Sequence, residues 1–312
     1  MKKLALLLGA LSLVSSVAYA KEVVPAVEEV VVVEEAAPVA AAPALRVTNF
    51  GQFVEVDNWS GSKNGDVGYS ILGTSLGLAY GDDWTFGVMA RKGWDVDTDK
   101  GIHSDGHRID LDVWRNFENV SVGARWRQEA DMDRWLGRVK YNYGMFSGWV
   151  DAGYQFNNKN AADNIYSEGM PLCVTVGPVT AGYYYEYKDW NGTAETFDKK
   201  AESFDQTEEL THQVRLMFPL YSGEKLSLSG EYRYQFAQDK EYEKKQEWQE
   251  QTGHIGILNA SYKVTENLSI DAYYQYDMKD YDVKNEGKEY KGDAKDHANY
   301  YGEFCIGWTY TF

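Results

Sequence analysis

The chain has 312 residues and a formal net charge of -17, which disfavours nucleic-acid binding because DNA and RNA are polyanions. Aromatic residues make up 15% of it, with 24 Tyr, 10 Trp and 29 Gly but 6 Pro, a composition more typical of strands and interfacial aromatic girdles than of a helical core. The mean hydropathy is -0.52, and no run after the amino terminus approaches the roughly 20 apolar residues of a spanning helix, although alternating membrane strands escape such averages.

The amino terminus has the three parts of a secretory signal peptide. Met1-Lys2-Lys3 is basic, residues 4–17 are apolar, and Ala18-Tyr19-Ala20 is a small-x-small cleavage site before Lys21. We therefore expect residues 1–20 to be a signal peptide and the mature chain to be exported.

Residues 21–45 consist almost entirely of Val, Ala, Glu and Pro, without alternation or aromatic residues. Pro25, Pro38 and Pro43 would interrupt a long helix, so this low-complexity segment is predicted to be a disordered or partly helical periplasmic extension. An alternative is that it contacts the cell wall, a partner or the mouth of the following domain through residues 30–35.

From residue 46 onward, segments of about ten residues alternate between apolar and polar side chains, which is the pattern of membrane-spanning strands. They predict strands near 46–57, 68–80, 84–94, 106–116, 120–128, 134–143, 149–157, 170–176, 179–188, 209–218, 225–237, 252–263, 268–278 and 299–312. The fold class expected for residues 46–312 is all-β, a transmembrane antiparallel up-and-down β-barrel of about fourteen strands. Twelve strands remain an alternative, because the eighth is short and the first and twelfth have ambiguous facing.

The predicted connections alternate between tight turns and longer polar loops, with one short exception at 129–133. In bacterial barrels the tight turns are periplasmic and the long loops extracellular. The chain is therefore expected to cross the outer membrane many times and to have both mature termini in the periplasm.

The last strand has the clearest alternation. Its even positions carry Phe304, Ile306, Trp308, Tyr310 and Phe312, and its odd positions carry small or polar residues. This ending resembles the carboxy-terminal strand of bacterial outer-membrane barrels. Together with the signal peptide and the Val/Glu/Pro/Ala segment, the chain resembles fusobacterial outer-membrane porins at its two ends. The resemblance implies that Trp308, Tyr310 and Phe312 form the signal for the barrel assembly machinery and that the barrel lies in outer-membrane lipid.

Charged residues at inward positions of the predicted strands are candidates for lining a pore. A charge facing lipid would cost about 2–4 kcal/mol, so each of them is assigned to the interior. The predicted basic wall comprises Arg91, Arg108, Arg125, Arg127, Arg138 and Lys140. The predicted acidic pore-lining residues are Asp110, Asp112, Glu186, Glu231, Asp271, Asp277 and Glu303. Two interpretations stay open: a transverse field that orients solutes and tunes ion preference, or charges that pair merely to fill a polar lumen.

Enzymatic signatures are weak. His103 and His107 with Asp105 and Asp110 could form a cluster at the rim, but loop histidines are usually solvated. Ser75 lies in a Gly-x-Ser-x-Gly match inside a predicted strand, without the strand-turn-helix context of a nucleophile. Cys173 and Cys305 fall on distant strands and are predicted to be separate thiols. We expect no catalytic residue, no metal and no cofactor.

The function expected from these features is an outer-membrane porin that passes small hydrophilic solutes or ions by diffusion. A homo-oligomer is compatible with the aromatic belt. The alternatives are a surface adhesin or receptor that uses the charged loops at 189–208, 238–251 and 279–298, and an outer-membrane hydrolase with a rim active site.

Overall fold

The computed structural model describes residues 44–59, 68–97, 101–158, 162–192, 206–242, 247–285, 288–289 and 299–312. The predicted signal peptide and low-complexity extension lie outside these residues. The strands are β1 (Leu45–Trp59), β2 (Gly68–Tyr80), β3 (Trp84–Asp97), β4 (Gly101–Asn116), β5 (Val120–Glu129), β6 (Met132–Tyr143), β7 (Phe146–Asn157), β8 (Asn164–Val176), β9 (Val179–Trp190), β10 (Gln206–Ser222), β11 (Leu226–Tyr242), β12 (Glu247–Lys263), β13 (Leu268–Asn285), β14 (Lys288–Glu289) and β15 (Asn299–Thr311). No helix among the described residues is long and apolar enough to span a membrane.

The strands form one closed antiparallel barrel. Each long strand pairs with its neighbours in sequence, from β1 to β13, and β13 pairs with β15. The ring closes because β15 also pairs with β1 along most of its length, from Asn49 opposite Thr311 to Trp59 opposite Tyr301. The two-residue β14 only extends the edge of β13. The barrel is therefore formed by fourteen long strands. This number confirms the predicted fold class and excludes the alternative of twelve strands.

The inside and outside of the barrel are the reverse of a soluble protein. On β4, Arg108 and Asp110 are 1% and 2% exposed, whereas Leu111, on the opposite face of the strand, is 42% exposed. The same alternation recurs on β6, β9 and β11, whose exposed outward side chains include Val139, Tyr183 and Tyr232. Because the side chains of a strand alternate between its two faces, the outer surface of the barrel is mainly apolar, and the inner surface carries most of the buried charged and polar side chains.

Two kinds of connection separate the strands. Tight turns join β2 to β3, β4 to β5, β6 to β7, β8 to β9, β10 to β11 and β12 to β13, and we call their side of the barrel the short-turn end. Gly144 and Gly177 stand in two of these turns with φ of 60° and 59°, a left-handed conformation that glycine adopts without steric cost. The opposite side, which carries the connections at 60–67 and 193–205, is the long-loop end.

The strands at the long-loop end are longer than predicted. The predicted loop at 238–251 is instead mostly strand, because β11 continues to Tyr242 and β12 begins at Glu247. Likewise β8 begins at Asn164 rather than at residue 170. An irregularity in the pairing of β8 with β9 between Gly169 and Leu172 shifts the alternation there, which hid the first half of this strand from a period-two pattern.

Candidate functional site

The predicted basic residues lie on four consecutive strands. Arg91 is on β3, Arg108 on β4, Arg125 and Arg127 on β5, and Arg138 and Lys140 on β6. Arg91 stands directly opposite Arg108 in the register of β3 and β4. Their acidic partners are Asp110 and Asp112 on β4 and Asp151 on β7, so positive and negative side chains lie next to each other on this part of the inner surface.

Asp110 joins two of the arginines. Arg127 donates to it from Nε at 2.8 Å and from Nη2 at 3.1 Å, across the pairing of β4 with β5. Arg108, two residues before Asp110 on the same face, donates from Nε at 3.0 Å. One buried carboxylate is therefore shared by two guanidinium groups, each of which uses its Nε and Nη2 edge.

A second group lies one pair of residues closer to the short-turn end. Arg125 donates to Asp112 from Nε and Nη2, both at 2.9 Å. Arg138 hydrogen-bonds Asp112 from Nη1 and donates to Asp151 on β7 from Nε at 2.9 Å. Here two arginines meet two aspartates. We refer to Arg108, Asp110, Asp112, Arg125, Arg127, Arg138 and Asp151 as the arginine ladder.

Trp114 extends the ladder towards the short-turn end. The guanidinium carbon of Arg138 and the Nζ of Lys140 lie 4.6 and 4.7 Å from its ring centroid. An inward aromatic ring thereby makes cation–π contacts with two residues of the predicted basic wall. Lys140 itself is exposed.

Arg134 is an inward arginine that the sequence prediction missed. It is buried on β6, directly opposite Arg127 in the register, and its guanidinium carbon lies 3.6 Å from the ring centroid of Tyr166. Its Nε donates at 2.7 Å to the amide oxygen of Gln155 rather than to a carboxylate. The alternation of Met132, Arg134 and Leu136 could have revealed it, but residue 134 stood at the predicted start of the strand.

The next two strands carry a group of tyrosines and glutamates. Glu168 on β8 is directly opposite Glu186 on β9. The hydroxyl of Tyr166 donates to Glu186 at 3.2 Å and that of Tyr184 donates to Glu168 at 3.3 Å. Nearby cations compensate this negative charge: Lys188 is 3.3 Å from Glu186, and the guanidinium of Arg215 is 3.6 Å from the ring centroid of Tyr184.

The other predicted acidic residues are distributed over three strands and do not form one face. Glu231 on β11 is paired with Arg233 at 2.5 Å. Asp271 and Asp277 lie on β13, where Asp271 accepts hydrogen bonds from Ser261 and Ser269. Buried Ile255 and Ile257 face inward on β12, which is halfway around the ring from β5. The surface across from the arginine ladder is therefore apolar at its centre and charged on both sides.

Glu303 on β15 belongs to a compact acidic cluster. Glu55, Asp57 and Glu303 are all buried, and one ligand atom of each lies within 4.8 Å of the others. The hydroxyl of Tyr273 donates to Glu55 at 2.9 Å and also hydrogen-bonds Glu303. Among the described residues this is the grouping whose donor atoms could hold a metal ion. The sequence did not indicate Glu55 and Asp57, because the facing of β1 was ambiguous.

The three residues of the expected assembly signal all face outward. Trp308 makes an edge contact with Phe50 at 5.7 Å between ring centroids, and Tyr310 does so with Phe312 at 5.0 Å. Phe312 is 69% exposed. The terminal side chain is therefore accessible from outside the barrel.

Two residues of the candidate rim cluster lie apart. His107 and Asp110 lie on opposite faces of β4, with His107 hydrogen-bonded to Gln128 at 3.2 Å and Asp110 in the arginine ladder. Ser75 lies inside β2, as predicted. Cys173 and Cys305 are both free and buried, which confirms the prediction of separate thiols. The charged residues of the connections at 193–205, 243–246 and 290–298 lie outside the described residues.

Comparison with known proteins gives structural neighbours only. No model of a known protein family and no curated protein matches the sequence. OmpT, an outer membrane protein of Vibrio cholerae, superposes with a TM-score of 0.45 at 15% identity over 86% of this chain and 98% of that chain. An anion-selective porin from Comamonas acidovorans superposes with a TM-score of 0.44 at 11% identity, over 86% of this chain and 100% of that chain. The outer membrane channel DcaP of Acinetobacter baumannii superposes with a TM-score of 0.43 at 10% identity, over 87% of this chain and 98% of that chain.

Proposed function

We propose that this protein is an outer-membrane porin that lets small hydrophilic solutes or ions diffuse through a charged lumen. Transport of this kind requires no cofactor and no covalent step. Selectivity would come from the width of the lumen and the charges along it. Both mature termini would be periplasmic, and the terminal strand would be recognised by the barrel assembly machinery.

The observation that carries this proposal is the arginine ladder on the inner face of a closed fourteen-strand barrel. Guanidinium and carboxylate groups lose much favourable hydration in an apolar core, whereas a polar lumen tolerates them. Barrels of about eight strands are filled by their own side chains, and those of sixteen to eighteen strands leave an aqueous channel, so fourteen falls between the two. The resemblance of both chain ends to fusobacterial outer-membrane porins supports the same function.

Solute passage can be tested by liposome swelling. Vesicles that contain the refolded protein should swell in isotonic solutions of small sugars, and the rate should fall steeply as the sugar grows from a pentose to a trisaccharide. Vesicles without protein, and vesicles with protein that was heat-denatured before reconstitution, serve as controls. Equal swelling rates for all sugar sizes, or none above the controls, would refute diffusion through a lumen of defined width.

A further inference from the structure

The arginines of the inner face differ in how fully their charge is compensated. Arg125 and Arg138 share two carboxylates, those of Asp112 and Asp151. Arg108 and Arg127 share only Asp110, with Glu129 at a longer 3.8 Å from Arg108. Arg134 is held by the neutral amide of Gln155. On the side nearer the long-loop end, the guanidinium groups of Arg108, Arg127 and Arg134 therefore have between them, among the described residues, a single hydrogen-bonded carboxylate, that of Asp110.

The three under-compensated arginines are adjacent. Arg127 and Arg134 face each other directly across β5 and β6, and cross-strand partners of this kind have Cα atoms about 4.5–5.5 Å apart. Arg108 reaches the same place because it binds the same carboxylate as Arg127. The group is thus contributed by three consecutive strands of a rigid sheet.

Each of these arginines also keeps one donor nitrogen unused. All three bind their partner through the Nε and Nη2 edge of the guanidinium. The Nη1 atoms of Arg108, Arg127 and Arg134 are buried, and none has a hydrogen-bond partner within the described part of the chain. The three side chains themselves are at most 4% exposed. A buried donor without an acceptor lowers the stability of the fold, because it has lost its hydrogen bonds to water. These nitrogens should therefore bind an acceptor that carries negative charge.

We propose that Arg108, Arg127 and Arg134 form a binding site for a small oxyanion group, such as a phosphate or carboxylate, on the wall of the lumen. An oxyanion offers several acceptor oxygens to several guanidinium nitrogens at once, which a spherical halide does not. Tyr166 and Gln155 hold Arg134 in place from its ring face and its Nε edge, so the site is preorganised. This inference rests on the proposed porin function, for which it names the class of solute that the lumen retains.

Two further carboxylates lie beside the three arginines. Glu129 is 3.8 Å from Nε of Arg108, and Glu168 on β8 interacts electrostatically with Arg127 and Arg134 while its Oε2 accepts the hydroxyl of Tyr184. Neither hydrogen-bonds the three Nη1 atoms, so their charge would limit the affinity for an anion without occupying these nitrogens. We therefore expect weak binding, in the range that lets a solute enter and leave.

The test is equilibrium binding of inorganic phosphate to the protein refolded in detergent, measured calorimetrically at low ionic strength and pH 7.5. The wild type should bind phosphate saturably, and chloride at equal ionic strength should compete poorly. Arg134→Gln should weaken phosphate binding about tenfold or more, because a charge-assisted contact and the unpaired charge are both lost. Arg233→Gln is the matched control, since Arg233 is an equally buried inward arginine that is paired with Glu231. It should stay within about threefold of the wild type.

A second variant covers the case in which Arg134→Gln fails to fold. Arg134→Lys keeps the charge but removes the planar pair of donors, and it should bind phosphate more weakly than the wild type. Absence of saturable phosphate binding by the wild type would overturn the site, as would equal losses in Arg134→Gln and Arg233→Gln. Because binding is measured without a membrane, a site that fails leaves channel activity standing, and a channel that fails leaves the binding result standing.

Discussion

At the scale of single residues, the inner wall depends most on carboxylates that serve two arginines. Asp110 is 2% exposed and lies between Arg108 and Arg127, each only 1% exposed. Two such cations without their shared anion would repel each other in surroundings that screen charge poorly. Asp110 therefore stabilises both arginines of the basic wall. Removal of Asp110 would leave the charges of Arg108 and Arg127 uncompensated, and removal of either arginine would leave Asp110 with one cation instead of two.

Replacement of Asp110 by Asn tests this dependence. We expect Asp110→Asn to lower the free energy of unfolding by about 3 kcal/mol, because it leaves two buried guanidinium groups uncompensated. Urea titration of the refolded protein, followed by heat-modifiable gel mobility, measures the change. Asp271→Asn is the control, because the described contacts of Asp271 are with two serine hydroxyls, and it should cost less than about 1 kcal/mol. Equal stability of Asp110→Asn and the wild type would contradict the shared-carboxylate account.

At the scale of strands, the alternation of side chains decided what the sequence could predict. It predicted fourteen strands and their closure through the last one, because lipid imposes apolar residues at every second position. It did not predict the first half of β8, where a bulge shifts the phase, nor the extensions of β11 and β12, whose sequences have charged residues at consecutive positions, such as Asp239-Lys240-Glu241, and therefore no period of two. Arg134 was missed for a related reason, since a strand end is the least certain part of a periodic pattern.

Two neighbouring residues of β12 test the assignment of faces. Leu258 is exposed on the outer surface and Asn259 is half-buried on the inner one. Leu258→Lys should reduce the free energy of unfolding in lipid vesicles by about 2 kcal/mol or more, whereas Asn259→Lys should change it by less than about 1 kcal/mol, because only the first places a charge in lipid. The reverse order of the two variants would show that the barrel surface has been assigned the wrong way round.

The terminal strand allows stability and assembly to be separated. Phe312 is largely exposed, and its ring contact is with Tyr310 on the same strand. We expect Phe312→Ala to fold in detergent as the wild type does but to reach the outer membrane of cells several times less efficiently, as judged by surface protease accessibility. Val264→Ala, an exposed apolar residue in a neighbouring turn, is the control. Unchanged assembly of Phe312→Ala would contradict a role of the terminal residue as a signal.

At the scale of the whole molecule, charge is arranged around the ring in patches. The arginine ladder occupies β4 to β7, the tyrosine and glutamate group β8 and β9, and the acidic cluster β1 and β15. Across from β5, the inner face of β12 is apolar at Ile255 and Ile257. A solute in the lumen would therefore meet a field with one strongly charged side.

Ion preference should respond to this patch. Simultaneous replacement of Arg125, Arg127 and Arg138 by Gln should shift the reversal potential in a salt gradient towards cations, because three positive charges leave the wall while Asp110, Asp112 and Asp151 remain. Arg115 faces outward and packs against Trp84 and Phe117, so Arg115→Gln is the control. It should leave the reversal potential unchanged. Equal reversal potentials of the triple variant and the wild type would remove the ladder from any role in selectivity.

The central claim is that the barrel conducts, and single-channel recording in a planar lipid bilayer tests it most directly. Wild-type protein whose folding has been verified by heat-modifiable gel mobility should insert and give stable openings of uniform conductance in potassium chloride. Insertion of correctly folded protein without any opening would mean that its inner side chains fill the barrel, and would contradict the proposed function as a channel.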